Sequence, residues 1–189
     1  MPRLKKFGTM HGVRAITRTG QVVYRRLRFS GDRFIRKDVI LRYLAADVQK
    51  AAEGPDVAIT ARNYRFQSRG QEDYNGRVAE VFRVAPKHKR PGLFRGELWL
   101  DAASALPLRE WGDFVKSPSW FISRPRFVRD YILVEQTSRP KCLVLKAHTS
   151  LAGDVEMIIW FDDGASSDGA ENSTSTEGVE AGMIAASVP

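Results

Sequence analysis

The chain has 189 residues, of which 43% are hydrophobic and 28% charged, enough for one core of its own and the balance of a soluble globular protein rather than a disordered or fibrous one. Its one cysteine, Cys142, excludes an internal disulfide, and no apolar run reaches the ~20 residues that cross a bilayer as a helix. All 30 Lys and Arg lie at or before Lys146 while six of the 22 acids follow residue 161, so residues 1–161 carry a net +14, a surface that attracts phosphates over about 10 Å.

Residues 1–12 hold Arg3, Lys5 and Lys6 without an apolar stretch behind them, and read as a flexible start with no signal peptide. Val13 to Thr17, Gln21 to Phe29 and Arg33 to Lys37 read as short strands, with turns at Thr19-Gly20 and Ser30-Gly31-Asp32. In the second, Val23, Leu27 and Phe29 share a parity against Arg26 and Arg28, which predicts one dry and one wet face. Asp38 is the expected N-cap of a helix to about Ala52, with Ile40, Leu44, Val48 and Ala51 on one stripe and Gly54-Pro55 as its stop.

Strand signals then resume at Val57 to Phe66, Arg77 to Pro86, Leu93 to Asp101, Leu106 to Asp113, Phe127 to Val134, Lys141 to Thr149 and Asp154 to Asp162. The turns expected between them include Asp73 to Gly76, Asp101 to Ala105 and Ser138 to Pro140. Short turns between successive strands imply antiparallel pairing, because parallel strands need long crossovers. The last strand sets Val155, Met157, Ile159 and Phe161 on one face. Residues 163–189, rich in Ser, Gly, Thr and acid, are expected to be a disordered acidic tail.

Catalytic candidates are few. His11, His88 and His148 have no metal-ligand spacing, Cys142 lies in an apolar strand as a structural thiol does, and there is no Gly-rich phosphate loop or Gly-x-Ser-x-Gly elbow. The expectation is no enzyme, no metal and no cofactor. Lys87-His88-Lys89-Arg90 reads as an exposed basic connection, and Tyr24, Tyr64 and Trp99 are the aromatics that a sheet-type nucleic-acid reader would stack on bases. No RNP-like motif frames them, so nucleic acid is the least favoured partner.

The stretch Gly92-Leu93-Phe94-Arg95-Gly96-Glu97-Leu98-Trp99-Leu100-Asp101-Ala102-Ala103-Ser104-Ala105-Leu106-Pro107-Leu108-Arg109-Glu110 is the most distinctive part of the chain. It resembles the strand-turn-strand of the bacterial lipoprotein-carrier superfold, nearest to its exported members. That group includes the periplasmic lipoprotein chaperone, its outer-membrane receptor and the periplasmic regulator of the envelope-stress anti-sigma factor. Flanking pieces in the expected order extend the resemblance over residues 13–162. It implies a mainly β domain with one or two helices, a curved antiparallel half-barrel sheet whose concave face is apolar and covered by a helix. It also implies a periplasmic or envelope location, whereas the start as written implies the cytoplasm.

Such relatives bind acyl chains or lipidated proteins, which needs no catalytic group: at about 0.8 kcal/mol per CH₂, one long acyl chain gains ~10 kcal/mol in a dry cavity. The expected cavity residues are Val23, Leu27, Phe29, Leu98, Leu100, Leu143, Leu145, Val155, Met157, Ile159 and Phe161, with Ile40, Leu44 and Val48 as lid. A packed core presents the same apolar faces, and an open hollow is what separates the two. The alternative is a regulatory, protein-interaction module of the same fold, for which Trp99, Trp111 and Trp120 are the candidate interface anchors. The partners expected are therefore a lipid or lipoprotein acyl chain, or else an envelope protein or an anionic membrane surface.

Overall fold

Period-2 alternation punctuated by turn residues organises nearly all of the chain. The computed structural model describes residues 6–17, 19, 21–53, 56–117, 122–150, 153–163 and 179–188. In chain order the elements are β1 (Lys6–Ile16), β2 (Val22–Gly31), a π-helical segment (Ile35–Ile40) running into α1 (Leu41–Glu53), β3 (Tyr64–Tyr74), β4 (Arg77–Pro86), β5 (Phe94–Asp101), β6 (Pro107–Phe114), β7 (Ile122–Val134), β8 (Thr137–Thr149), β9 (Gly153–Asp163) and β10 (Val179–Val188). As expected, the fold is mainly β with one helix, its sheets are antiparallel, and they do not close into a barrel. The chain falls into two compact units, residues 1–54 with 157–189 and residues 55–156.

In the first unit β1 pairs antiparallel with β2 on one side and β10 on the other. The β1–β2 ladder gains one residue on β2 between the pairs His11↔Arg28 and Val13↔Arg25, and Arg26 takes the left-handed conformation there at φ 53°. A bulge of this kind flips side-chain parity beyond it. Tyr24, opposite Arg14, therefore shares a face with Phe29, opposite Met10, and Val23, opposite Ala15, lies on the other side. The common parity of Val23 with Leu27 and Phe29 expected from the sequence does not hold.

The helix also begins earlier than its expected cap. Asp32 Oδ1 accepts from the backbone N–H of Phe34 at 2.8 Å and of Ile35 at 3.2 Å, so Arg33 to Lys37 is helical rather than a strand. Asp38 instead pairs with Arg42 one turn on. Ile35, Ile40 and Leu44 are buried, each contributing roughly 2 kcal/mol of apolar burial, but the stripe stops there: Val48 is 41% exposed and is no part of a lid. A polar tie continues it. Asp47 Oδ2 accepts from Arg14 Nε at 3.0 Å and Tyr24 Oη at 2.8 Å, holding α1 to β1 and β2.

Order extends past both expected limits of the domain. β1 starts at Lys6, inside the supposed flexible start, and β10 pairs along its length with β1 from Lys6↔Val188 to Ala15↔Val179. Averaging composition over residues 163–189 conceals a Val179–Val188 segment without Ser- or acid-rich character. Residues 164–178 lie outside the described residues.

In the second unit β3 to β8 form a six-stranded antiparallel meander in sequence order. Asn75 and Gly76 at φ 54° and 80° form the type I′ hairpin that matches strand twist. The β5–β6 turn is closed by Asp101, which accepts from Ser104 N–H at 3.0 Å and Ser104 Oγ at 2.7 Å. Two expectations shift. Residues 56–63 are turns, with the strand starting at Tyr64, and the β7–β8 turn falls at Glu135–Gln136, leaving Pro140 within β8 beside a register shift at Asp130/Tyr131.

The register sorts this sheet into two faces. One carries Val84, Gly96, Gly112, Phe127 and Leu145 across five strands, and buries Tyr64, Phe94 and Phe127, whose rings pack at 5.7 and 4.8 Å between centroids. The other carries Val81, Trp99, Arg109, Asp130 and Cys142, Val81 covered on β4 and the rest half-buried from β5 to β8.

Candidate interaction surface

Trp99 and Trp111 stand on that half-buried face of β5 and β6, on either side of Glu97. Both indole N–H groups donate to Glu97 Oε2, at 3.3 and 3.1 Å. Tyr74 meets Trp99 edge-on at 5.8 Å, the Arg109 guanidinium lies 5.8 Å from the Tyr74 ring centre, and Tyr74 Oη donates to Asp130 Oδ1 at 2.8 Å. Arg109 Nε completes the set 3.5 Å from the same carboxylate oxygen. Two carboxylates thus hold three aromatic rings and a guanidinium in fixed rotamers at the surface. Rings already ordered lose little entropy when a partner covers them, which makes them efficient anchors.

Beside this patch lies a cavity of about 360 Å³ lined by Tyr74, Arg77, Asp130, Tyr131, Lys141 and Cys142 among others. Burial pushes the Cys142 thiol up, away from the thiolate that reactive cysteines need. The hydrogen bond from Ser104, with Arg77 nearby, holds the Asp101 carboxyl below the usual carboxylate range. Within the first unit a cavity of about 20 Å³, room for one water, is lined by Met10, Tyr24, Tyr43, Ile159 and Phe161 among others.

The expected cavity residues fall into separate groups. Leu98, Leu100, Leu143 and Leu145 share the buried face of the second unit, Leu98 and Leu143 fully covered and Leu100 and Leu145 half so. Val155, Met157 and Ile159 are buried and Phe161 half-buried along β9, while Leu27 and Phe29 are half-buried on β2. Of the whole set only Ile159 and Phe161 border either cavity. The leucine face is not uniformly oily. The row Phe82–Leu98–Glu110–Arg129–Leu143 carries an ion pair at its centre, Arg129 Nη1 to Glu110 Oε1 at 3.0 Å, and Tyr131 Oη donates to the same oxygen.

Trp120, the third expected anchor, lies outside the described residues. Tyr24 and Tyr64 are not stacking platforms, the first being tied to Asp47 and the second 1% exposed. The basic loop is exposed as expected but pinned, Lys87 Nζ donating to the Ala61 carbonyl at 2.6 Å and Arg90 lying 2.9 Å from Asp56. Among the described residues no three His, Cys, Asp or Glu side chains gather as a metal site requires. Sequence reasoning missed Tyr74, Glu97, Arg109 and Asp130. A signal was there in the i, i+2 spacing of Glu97 with Trp99 and of Arg109 with Trp111, opposite in parity to Leu98 and Glu110 between them.

Burial is the largest effect on four tyrosines: it pushes Tyr64 and Tyr74 up to about 12, and Tyr24 and Tyr131 up as well. A raised folded pKa means that the neutral phenol is favoured by folding, so this stability is complete below the ordinary value near 10 and is lost as pH rises through about 12. Tyrosinate absorbance is expected to grow in step with loss of circular dichroism over that window. Ionisation of all the tyrosines near pH 10 with the sheet intact would contradict it.

A family model described as the MucB/RseB N-terminal domain matches residues 6–111, more than half of the chain. Among solved structures, a crystal structure of MucB in complex with MucA(peri) is 14% identical, aligned over 99% of this chain and 89% of that one at a TM-score of 0.26. The Pseudomonas aeruginosa MucA/MucB complex gives 15%, 99%, 89% and 0.26, and a crystal structure of MucB gives 14%, 99%, 88% and 0.26. No curated protein matches.

Proposed function

The chain belongs to the MucB/RseB N-terminal domain family, and from that premise we propose that it is a non-catalytic regulatory module of the cell envelope, which holds a periplasmic segment of a partner protein. The binding face is the one built by Tyr74, Trp99, Arg109 and Trp111. Its carrying observation is that both indoles are fixed by one carboxylate, Glu97, and that Tyr74 and Arg109 are fixed by another, Asp130. The class of partner is taken from MucB, whose name the family bears and whose solved structure is a complex with MucA(peri).

This reading is preferred to acyl-chain carriage on size and chemistry. A carrier needs a dry hollow of several hundred Å³. The cavity in the first unit is about 20 Å³, and the one of about 360 Å³ is lined by Arg77, Asp130 and Lys141 as well as by Leu108 and Ile132. Calorimetric titration with the purified periplasmic segment of the MucA-like protein from the same organism tests the proposal. Trp99→Ala and Trp111→Ala are each expected to weaken binding about thirtyfold, the loss of an anchor worth ~2 kcal/mol. Unchanged affinity in both variants would remove this face from consideration.

A further inference from the structure

We infer that the free edge of β3 is a second docking element, which takes up an extended acidic segment of a partner as an added antiparallel strand. Among the described residues β3 pairs only with β4 and ends the strand order. Residues 65–73 are exposed without interruption. A strand with one neighbour turns every second pair of N–H and C=O groups outward, and an edge that no other element covers is a template for another chain.

The side chains along this edge define its occupant. On one face Arg65 and Gln67 stand with Arg83, the residue opposite Gln67, and Arg69 is the extra residue where the ladder shifts between Ser68 and Gly70. Arg65, Arg69 and Arg83 have no carboxylate partner among the described residues. On the other face Phe66, 39% exposed, packs edge-on against Phe82 at 6.4 Å. An incoming strand over Tyr64–Ser68 therefore sets alternate side chains beside arginines and beside Phe66. Alternating acidic and apolar residues satisfy both.

The same features disfavour a second copy of this chain. Within the straight run of about five residues, Tyr64–Ser68, a second copy would set Arg65 against Gln67 with no acid to meet it, because Glu72 and Asp73 lie beyond the bulge, and a short, bulged edge is a device against self-pairing. A negatively charged segment meets the same arginines as attraction.

This inference depends on the partner-binding reading only for the identity of the natural occupant, and the test separates the two. The probe is a labelled decapeptide alternating Glu and Val, followed by fluorescence anisotropy and by amide exchange of the full chain. Binding is expected to slow exchange within residues 64–74, and to be abolished when every second peptide amide is N-methylated on the edge facing β3. Arg65→Glu with Arg69→Glu is expected to weaken it about tenfold, an exchange of two surface attractions for repulsions. Trp99→Ala is expected to leave it unchanged. A decapeptide that does not bind, binds equally when N-methylated, or protects another segment overturns the inference. In that event Trp99-dependent binding of the periplasmic segment still stands, and loss of that binding alone leaves the edge intact.

Discussion

Gly96→Ala is expected to destabilise the chain by about 3 kcal/mol or more, lowering its melting temperature by roughly 10 °C. Gly96 faces Gly112 across the β5–β6 ladder. A Cβ there would fall within the contact radius of the Trp111 carbonyl oxygen, 2.6 Å from Gly112 Cα and 2.8 Å from the Trp111 carbonyl carbon. All three atoms are backbone, so no rotamer change relieves the clash and the strands must part. Parting them moves Trp111 away from Glu97 and loosens the Phe94–Phe127 contact on the other face. Arg95→Ala, one residue away and exposed, is the control for strand propensity. Urea denaturation giving the two variants the same midpoint would show that β5 and β6 do not approach this closely.

Legibility followed the reach of the signal. β4, β5 and β6 were readable to within a residue because their turns need particular chemistry, Asn75-Gly76 for two positive φ angles and Asp101 with Ser104 for a closed loop. Parity counting failed in β2, where one added residue at Arg26 sends Val23 to the other face, and no local feature of a run rich in arginine marks that insertion. Arg33 to Lys37 is short enough to fit a strand or a helical turn, and the Asp32 cap decides it. The functional patch was half-visible. Its tryptophans stood out, but the carboxylates that fix them act across strands, Asp130 from 21 residues beyond Arg109, and only the register brings them together. The resemblance reached a superfold that includes an envelope-stress regulator, and the family match falls on that regulator rather than on the lipoprotein carriers. The motif behind it marks strands and a turn, which describe a scaffold more than a ligand.

Glu110→Ala should cost about 3 kcal/mol although it removes only a few atoms. Glu110 is 4% exposed, and its Oε1 accepts from both Arg129 and Tyr131 in a row flanked by Leu98 and Leu143. Its loss takes from the Arg129 guanidinium and the Tyr131 phenol the carboxylate they share in an apolar setting, and breaking such a group costs more than the intact pair contributes. The Arg129 side chain keeps 25% exposure, so water recovers part of the loss and the effect stays at the low end for a broken buried pair. Replacing both residues, Glu110→Leu with Arg129→Met, should return most of the stability, because the row then becomes continuously apolar. What the double variant gives up is register. On the covered face the β6–β7 pairing opposes Glu110 to Arg129 and rejects a slip that would set either against Val128 or Trp111, whereas an apolar pair there leaves the alignment to Arg109–Asp130 and Arg126–Asp113 on the other face. Urea denaturation measures the first effect and amide exchange across β6 and β7 the second. A single variant as stable as the parent, or a double variant with undiminished protection, would show that the pair neither supports the sheet nor aligns it.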